Sequence, residues 1–495
     1  MQYDSRRHVE EGLIYKTVIK EFLQYAALNV LGMLGVSCYI LADTFFIAGG
    51  LGSNGLAALN LALPIYNLLK GCGMMLGIGS AVKYSIYREQ GKEEQTRQLY
   101  GTTILTADLL GIVFLCAGAV GAEGIAGLLG ADDVVRDMTA TYLRMMLLFA
   151  PVFLLNDIGI SYVRNDGNPR LAMAAMITSS FTNIVLDYIF IFPMQLGMWG
   201  AIFATCLAPC ISIGMLLFHC IGNSVGIPIQ QKAKMRTSRR GRLCVASARA
   251  RKCATGAHFI FVIGKRARPD VKGFHISMLK EVGKLGFSSF VTELSSGIVI
   301  IVFNMILLHI RGNLAIAAYG VIANISLVVM AMFTGVAQGM QPVVSRLYGR
   351  GDTAGRKKVL HCACGVSVGL AAVIYLLLWF GNRDIIALFN SRQDAELAAI
   401  ASVGMKIYFA AAPFAAVNIV CAMYFAAVER ALPAQVISLL RGCLLIIPAA
   451  FLLAGLLGMI GVWLSFPVTE GSVMLVGVMM YVTMEKRTGG VKKER

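Results

Sequence analysis

The sequence is poor in charge and in the side-chain groupings that build catalytic or metal centres. Only 14% of its 495 residues are Asp, Glu, Lys or Arg, whereas a soluble protein has about 25%. Its six His residues are scattered, at positions 8, 219, 258, 275, 309 and 361, and no nucleophile with a nearby base indicates a membrane enzyme or receptor. The Cys residues show no zinc-type spacing, and the nearest pattern, "HCAC" at 361–364, opens an apolar run. We therefore predict no enzyme activity, no organic cofactor and no structural metal.

Long apolar runs occupy most of the chain, which is 57% hydrophobic with a mean hydropathy of +0.71. About 20 apolar residues suffice to cross a bilayer as a helix, and the ten-residue alternation of a β-barrel is not visible. The sequence thus predicts an all-α polytopic membrane protein. Its twelve transmembrane helices are expected at about 22–48, 57–82, 101–125, 138–161, 171–192, 197–221, 284–309, 313–339, 358–381, 399–424, 432–455 and 457–483.

The net charge of +17 is distributed in a way that predicts the orientation. Lys and Arg gather in both termini and in the even-numbered connections, among them Arg164 and Arg170 after span four. By the positive-inside rule, both termini of a multi-pass protein of the cytoplasmic (plasma) membrane then face the cytoplasm. Residues 231–272 hold thirteen Lys or Arg and one acid. This segment is interpreted as a cytoplasmic linker that could also dock on anionic lipid; nucleic acid is not an expected partner, because no aromatic residues interleave the charges.

The two halves of the chain repeat each other. "LGSNGLAALNL" from residue 51 resembles "RGNLAIAAYGV" from residue 311, and "LGMWG" from residue 196 recurs as "LGMIG" from residue 457. The offsets of 260 and 261 residues indicate a duplication. Because six spans separate the repeats, we expect two six-helix bundles related by a pseudo-two-fold along the membrane normal, with a site between them. The predicted domains are an N-lobe, a basic cytoplasmic linker, a C-lobe and a cytoplasmic tail, at 1–222, 223–283, 284–485 and 486–495.

Polar residues inside the apolar spans mark a candidate ion site. "TNIVLDYIFIF" (182–192) places Asn183 and Asp187 on one helical face, and a carboxylate at the centre of a span costs about 2.5–3.5 kcal/mol. The span directions put Asp43 and Thr205 at the same depth, in the outer half of the first bundle. Four oxygen-bearing side chains at one level suit a hard cation such as Na⁺ or a shared proton. The alternative interpretation is a structural network of interhelical hydrogen bonds.

The second half carries a looser set of polar residues. Glu293 lies about nine residues into span seven, and is either part of a site for a cationic substrate or second ion, or a buried hydrogen-bonding acid. Asn304, Asn324 and Gln338 are candidate members of the same site. Asp157 is interpreted as a polar group at the end of span four, near the membrane interface.

Several motifs resemble one family. "LADTFFIAGGLGSNGLAALNLALPI" (41–65), "RNDGNPRLAM" (164–173), "TNIVLDYIFIFPMQLGMWGAIFAT" (182–205) and "AQGMQPVVSRLYGRGD" (337–352) are similar to those of the multidrug and toxic compound extrusion (MATE) transporters of the MOP flippase superfamily. The resemblance covers about 15–485. It implies two bundles around a V-shaped cleft and export of organic, often cationic compounds driven by inward Na⁺ or H⁺.

The resemblance also implies roles for individual residues. The acid on helix one of the family's branch with an N-lobe cation site matches Asp43, the Asn and Asp on helix five match Asn183 and Asp187, and the Thr on helix six matches Thr205. Glu293 departs from many relatives of that branch, and the basic linker is longer than is usual. The sequence does not separate Na⁺ from H⁺ as the coupling ion.

We accordingly expect a monomeric, cation-coupled antiporter whose partners are small organic cations or drugs and membrane lipid. The alternative within transport is a flippase for lipid-linked oligosaccharides or lipid II. Such a protein needs basic residues in its cleft to hold a pyrophosphate. The intramembrane charges identified above are acidic, which favours the antiporter.

Overall fold

The computed structural model describes residues 2–225, 275–389 and 394–491, so most of the predicted basic linker lies outside the described residues. The described chain is almost entirely helical. The helices of the first half are α1 (Gln2–Glu89), α2 (Glu93–Leu128), α3 (Arg136–Leu148), α4 (Ala150–Asn165), α5 (Pro169–Ile191) and α6 (Gly197–Val225). Those of the second half are α7 (Ile276–Arg311), α8 (Asn313–Gly349), α9 (Thr353–Phe380), α10 (Asn382–Phe389), α11 (Ala395–Tyr408), α12 (Ala412–Ala427), α13 (Ala431–Leu439), α14 (Ile446–Leu457) and α15 (Met459–Val491), with a 3₁₀ turn at Phe409–Ala411 and a π-helical turn at Leu440–Leu444.

Glycines with positive φ confirm the duplication. Gly52 breaks α1 into two arms with φ 69° and ψ −159°, and Gly312 separates α7 from α8 with φ 68° and ψ −153°. Gly197 and Gly458 form a second matched pair, at φ 61° and 59°. Residues with a Cβ rarely adopt these angles, so the repeated glycines record the same backbone breaks in both halves.

The number of spans agrees with the prediction. Ten helices or joined helices among the described residues are long and apolar enough to cross a membrane, and α3 and α4, bent by 53°, form an eleventh. The first of the ten contains two spans, one on each side of Gly52, which gives twelve. Some boundaries differ from the prediction, because span four continues to Asn165 and span seven begins at Ile276. The domain limits stay predictions.

Each half builds its own core. In the N-lobe (α1–α6), buried residues such as Leu76, Met146 and Ile202 form one cluster. In the C-lobe (α7–α15), Phe303 and Trp463 belong to another. Apart from Val282 of α7 in the first cluster, the buried members of each cluster come from one half, so each bundle has its own core.

The lobes are in contact at the end of the molecule that the sequence predicts to face the cytoplasm. Phe22 and Ala26 of α1 belong to a buried cluster with C-lobe residues that include Met340 of α8. Lys83 of α1 pairs with Glu281 of α7 at 2.7 Å. Toward the opposite end, the buried C-lobe cluster of the described residues contains no N-lobe member. The described conformation is therefore closed between the lobes at one end.

Close helix contacts at this end depend on glycines. A Cβ placed on Gly286 of α7 would overlap the carbonyl oxygen of Met75 in α1. A Cβ on Gly283, one turn earlier in the same helix, would meet nothing within 4 Å. Gly286 thus lets two backbones approach, and Gly283 provides a natural control.

Gly286→Val should force α1 and α7 apart, because overpacking typically costs about 1–3 kcal/mol. We expect a lower melting temperature for the purified variant and a longer distance between spin labels placed on the two lobes at this end. Gly283→Val should change both quantities much less. Equal melting temperatures and equal label distances for the two variants would contradict this account of the lobe contact.

Candidate functional site

Two carboxyl groups face each other inside the N-lobe. Asp43 comes from the first arm of α1 and Asp187 from the last turns of α5, and both are buried, with exposed fractions of 8% and 0%. The two carboxyl groups are neighbours across α1 and α5. A carboxylate only accepts hydrogen bonds, so the pair can bond directly only when one member carries a proton. Otherwise the two negative charges repel each other in a region of low dielectric.

Asn183 and Thr205 form a hydrogen-bonded pair, and Asn183 lies one helical turn before Asp187 on α5. The Asn183 side-chain amide donates a hydrogen bond to the Thr205 hydroxyl at 3.2 Å, and that hydroxyl donates to the carbonyl oxygen of Ala201, also at 3.2 Å. The amide oxygen of Asn183 is therefore left as an acceptor beside the acid pair. The structure places all four predicted residues together, and their role in ion binding stays a prediction.

Four buried oxygens of this cluster lack a hydrogen-bond partner within the described residues. They are Oδ1 of Asp43, Oδ1 of Asn183 and both carboxylate oxygens of Asp187. Leaving buried acceptors unpaired carries a penalty of about 1–3 kcal/mol for each neutral group and more for a charged one. The donor set is composed of carboxylate and amide oxygens, which fits a hard monovalent cation or a proton.

Three tyrosines of the N-lobe lie on helices that carry or pack against the acid site, and the sequence does not predict them as site residues. Tyr142 of α3 is buried in the N-lobe core. The hydroxyls of Tyr39 and Tyr66 are 3.0 Å apart on the two arms of α1. An aromatic residue in an apolar span has the same pattern as a core residue, so no sequence signal distinguished these three.

A half-buried ion pair lies nearer the middle of the spans. Lys70 of α1 contacts Oδ1 of Asp157 at 3.3 Å. Asp157 lies eight residues before the end of α4, so its interpretation as a helix-end group near the interface was wrong. That interpretation rested on a predicted span end at residue 161 and took no account of Lys70.

One cavity extends from the ion pair to Asn183 and Thr205, and neither Asp43 nor Asp187 is in its lining. Its lining includes Lys70, Asp157 and Glu293 at one side and Asn183 and Thr205 at the other. Because Glu293 belongs to α7 and the others to the N-lobe, the cavity lies at the lobe interface. This is the position expected for a transported substrate in a protein built from two repeats.

The candidate C-lobe residues do not form a single cluster. Gln338 lines the same cavity as Glu293. Asn304 is eleven residues, or about 16 Å, beyond Glu293 along α7. Asn324 is fourteen residues, or about 21 Å, before Gln338 along α8, and its side chain donates to the carbonyl oxygen of Gly320 at 2.9 Å. The structure therefore groups two of the four residues at the cavity.

The sequence predicts that Arg164 lies in a loop after span four. The structure instead buries it in the last turn of α4. Its guanidinium donates to Oδ1 of Asn29 at 2.9 Å and to Oε1 of Gln338 at 2.5 Å. It thereby links α4 of the N-lobe to α8 of the C-lobe. The predicted end of span four, at residue 161, is four residues before the end of α4. Arg164 therefore fell outside the predicted span, and the sequence did not predict this contact.

The C-lobe contains a charge cluster of a different kind. Glu470 of α15 is 1% exposed. One of its carboxylate oxygens accepts from Nη2 of Arg441 at 2.9 Å, and the other accepts from the Asn418 side-chain amide at 2.7 Å. Arg441, Lys70 and Arg164 are all basic residues within the helices. The expectation that the intramembrane charges are acidic, which counted against a flippase, was therefore wrong.

Comparisons with known proteins identify similar chains. A family model described as MatE matches residues 29–189 and 288–452. The multidrug export protein MepA of Staphylococcus saprophyticus is 24% identical over 97% of each chain, and MepA of Staphylococcus aureus is 23% identical with the same coverage.

Solved structures share the fold. A multidrug resistance MATE family transporter of the MOP superfamily in an outward-facing conformation superposes with a TM-score of 0.79 at 18% identity, covering 96% of this chain and 97% of that one. The MATE transporter VcmN of Vibrio cholerae gives 0.77 at 21% identity, covering 96% and 98%. A MOP superfamily transporter from Pyrococcus furiosus, described as having a binding pocket of reverse polarity, gives 0.77 at 18%, covering 96% and 97%.

If the two acids repel each other, neutralising one should stabilise the fold. We expect Asp187→Asn to raise the melting temperature at pH 8 in Na⁺-free buffer by about 2 °C or more, because one buried like-charge contact is removed. Asp133→Asn, at an exposed position of the α2–α3 connection, should leave it unchanged. If Asp187→Asn lowers the melting temperature while Asp133→Asn leaves it unchanged, the repulsion between Asp43 and Asp187 would be contradicted.

Proposed function

This chain belongs to the MatE family, and we propose that it is a cation-coupled antiporter that exports organic, mainly cationic compounds by alternating access. H⁺ or Na⁺ is the coupling ion. The observation that carries the proposal is the set of four buried, unpaired oxygens on Asp43, Asn183 and Asp187. The two similar proteins named as multidrug export proteins support drugs as the exported class.

The coupling ion acts on the N-lobe acids. The lobes are joined at the end predicted to be cytoplasmic, so H⁺ or Na⁺ reaches Asp43 and Asp187 from outside. Its binding removes the repulsion between the two carboxylates and satisfies their free oxygens. A ligand shifts a conformational equilibrium only by its difference in affinity for the two states. The cation must therefore bind more tightly to the conformation that has released substrate than to the conformation that holds it.

The remaining steps reverse this order. The lobes separate at the cytoplasmic end and the ion leaves to the cytoplasm. The recharged acid pair then favours the arrangement that accepts substrate in the cavity between the lobes. This assigns the protein to the cytoplasmic membrane with both termini inside, acting as a monomer with small organic cations or drugs as its partners.

A flippase for lipid-linked pyrophosphates is less well supported. That substrate needs basic side chains free to bind it. The cavity lining has two cations, Lys70 and Arg164, which are matched by two acids, Asp157 and Glu293. It therefore has no excess of positive charge to attract a pyrophosphate.

Transport by the purified protein in liposomes, with pH and Na⁺ gradients imposed separately, tests the proposal. We expect one of the two gradients to drive movement of an organic cation. Asp43→Asn and Asp187→Asn should reduce that movement to the rate seen without a gradient, because the oxygen site loses a charge.

Asp133→Asn is the matched control and should transport like the wild type. Gradient-driven transport at the wild-type rate in either acid-pair variant would contradict the coupling role. Wild-type protein that moves no organic cation under either gradient would contradict the proposed substrate class.

A further inference from the structure

Lys70 is a half-buried lysine in the middle of a membrane span. It lies near the midpoint of the second arm of α1, 18 residues after Gly52. Asp157 lies at the middle of α4, and Glu293 lies at the middle of α7. All three line the same cavity. An ammonium group therefore sits at the level where the two lobes would bind a substrate.

Lys70 lies between acids of both lobes. Its Nζ is 3.3 Å from Oδ1 of Asp157 in the N-lobe, and Glu293 of the C-lobe lines the same cavity. The helices are close at this point, because a Cβ added to the neighbouring Gly71 would lie 3.5 Å from the Cβ of Glu293. One cation thus lies in the same cavity as two carboxyl groups, one from each lobe.

The ion pair is open, unlike its counterpart in the C-lobe. The side chains of Lys70 and Asp157 are 29% and 11% exposed, and they share a single contact. Glu470 is instead sealed by Arg441 and Asn418. A Lys ammonium is a compact charge on a flexible stem, whereas the guanidinium of Arg is a planar, pre-organised fork. Lys70 can therefore leave its partner without breaking a larger network.

Charge balance makes that movement necessary for an organic cation. The cavity contains two cations, Lys70 and Arg164, and two acids, Asp157 and Glu293. Arg164 is fixed by Asn29 and Gln338. A further positive charge would give the cavity a net charge of +1, and it would compete with the Lys70 ammonium for the same two carboxyl groups.

We propose that the Lys70 ammonium is a tethered occupant of the substrate site, which an organic cation must displace from Asp157 and Glu293 in order to bind. Its return to Asp157 then promotes release of the substrate. Lys70 is thus a specificity-determining residue that weakens binding of cations and speeds their exit. This inference rests on the proposed function, because it concerns the same substrate class.

Equilibrium binding of tetraphenylphosphonium to the purified full-length chain in lipid nanodiscs tests it. This probe carries one permanent positive charge and no hydrogen-bonding group. Lys70→Met should bind it about tenfold more tightly, as expected when a competitor worth about 1.4 kcal/mol is removed. Lys70→Gln, which keeps a donor for Asp157 without the charge, should show the same direction of change, and Lys70→Arg should bind no more tightly than the wild type.

Two controls separate competition from a structural effect. Lys406→Met makes the same substitution at a lysine that stacks on Trp379, outside the cavity lining, and should leave affinity unchanged. On an Asp157→Asn background, Lys70→Met should gain clearly less than in the wild type, because the two residues act as one unit. In liposomes, the Lys70→Met variant should combine tighter binding with a lower maximal export rate.

Unchanged or weaker probe binding in folded Lys70→Met or Lys70→Gln would overturn the inference while leaving the proposed function intact. Tighter binding by Lys70→Arg would overturn it as well. Wild-type protein that binds no organic cation would contradict the proposed function, and this inference with it.

Discussion

The buried carboxyl groups of Asp43 and Asp187 impose the constraint on which the N-lobe is organised. Two like charges in a low-dielectric bundle are stable only if a proton or another cation lies between them. The surrounding residues supply little relief, since Asn183 turns its amide toward Thr205 and leaves its oxygen free. Under the proposed function, an external cation meets this constraint. The protein could then use an ion gradient, because occupation of the site would change the relative stability of its conformations.

The two lobes share a fold and differ in how they neutralise charge. The repeated glycine breaks at Gly52 and Gly312 record their common origin. In the C-lobe, Glu470 is satisfied internally by Arg441 and Asn418. No external ion is required there. At the lobe interface Lys70 takes an intermediate position, with one open contact to Asp157. The described residues thus contain an ion pair with several hydrogen bonds, an ion pair with one contact and an acid pair with unpaired oxygens. The proposed function assigns the coupling ion to the last of these.

Much of the fold followed from sequence pattern, because the bilayer allows few solutions to hydrogen bonding of the backbone. Apolar run length predicted twelve spans, and the 260-residue offset predicted the duplication. The grouping of Asp43, Asn183, Asp187 and Thr205 followed from span direction and depth. Side-chain pairings between different helices could not be predicted from the sequence in the same way. A predicted span end at residue 161 puts Arg164 in a loop, and no sequence pattern singles out Lys70. The pairings of Lys70 with Asp157 and of Arg441 with Glu470 depend on how helices rotate and pack, which spacing along one helix does not specify.

A direct count of the cation bound at equilibrium tests the central claim most simply. Radioactive Na⁺ binding and proton uptake from weakly buffered solution can both be measured on purified protein in detergent, without substrate or gradient. The account predicts about one saturable cation equivalent per wild-type chain, as Na⁺ or H⁺, shared by two coupled carboxyl groups. It predicts that this equivalent is lost when Asp43→Asn and Asp187→Asn are combined. An unchanged cation count in the folded double variant would contradict the assignment of the coupling ion to the N-lobe acids.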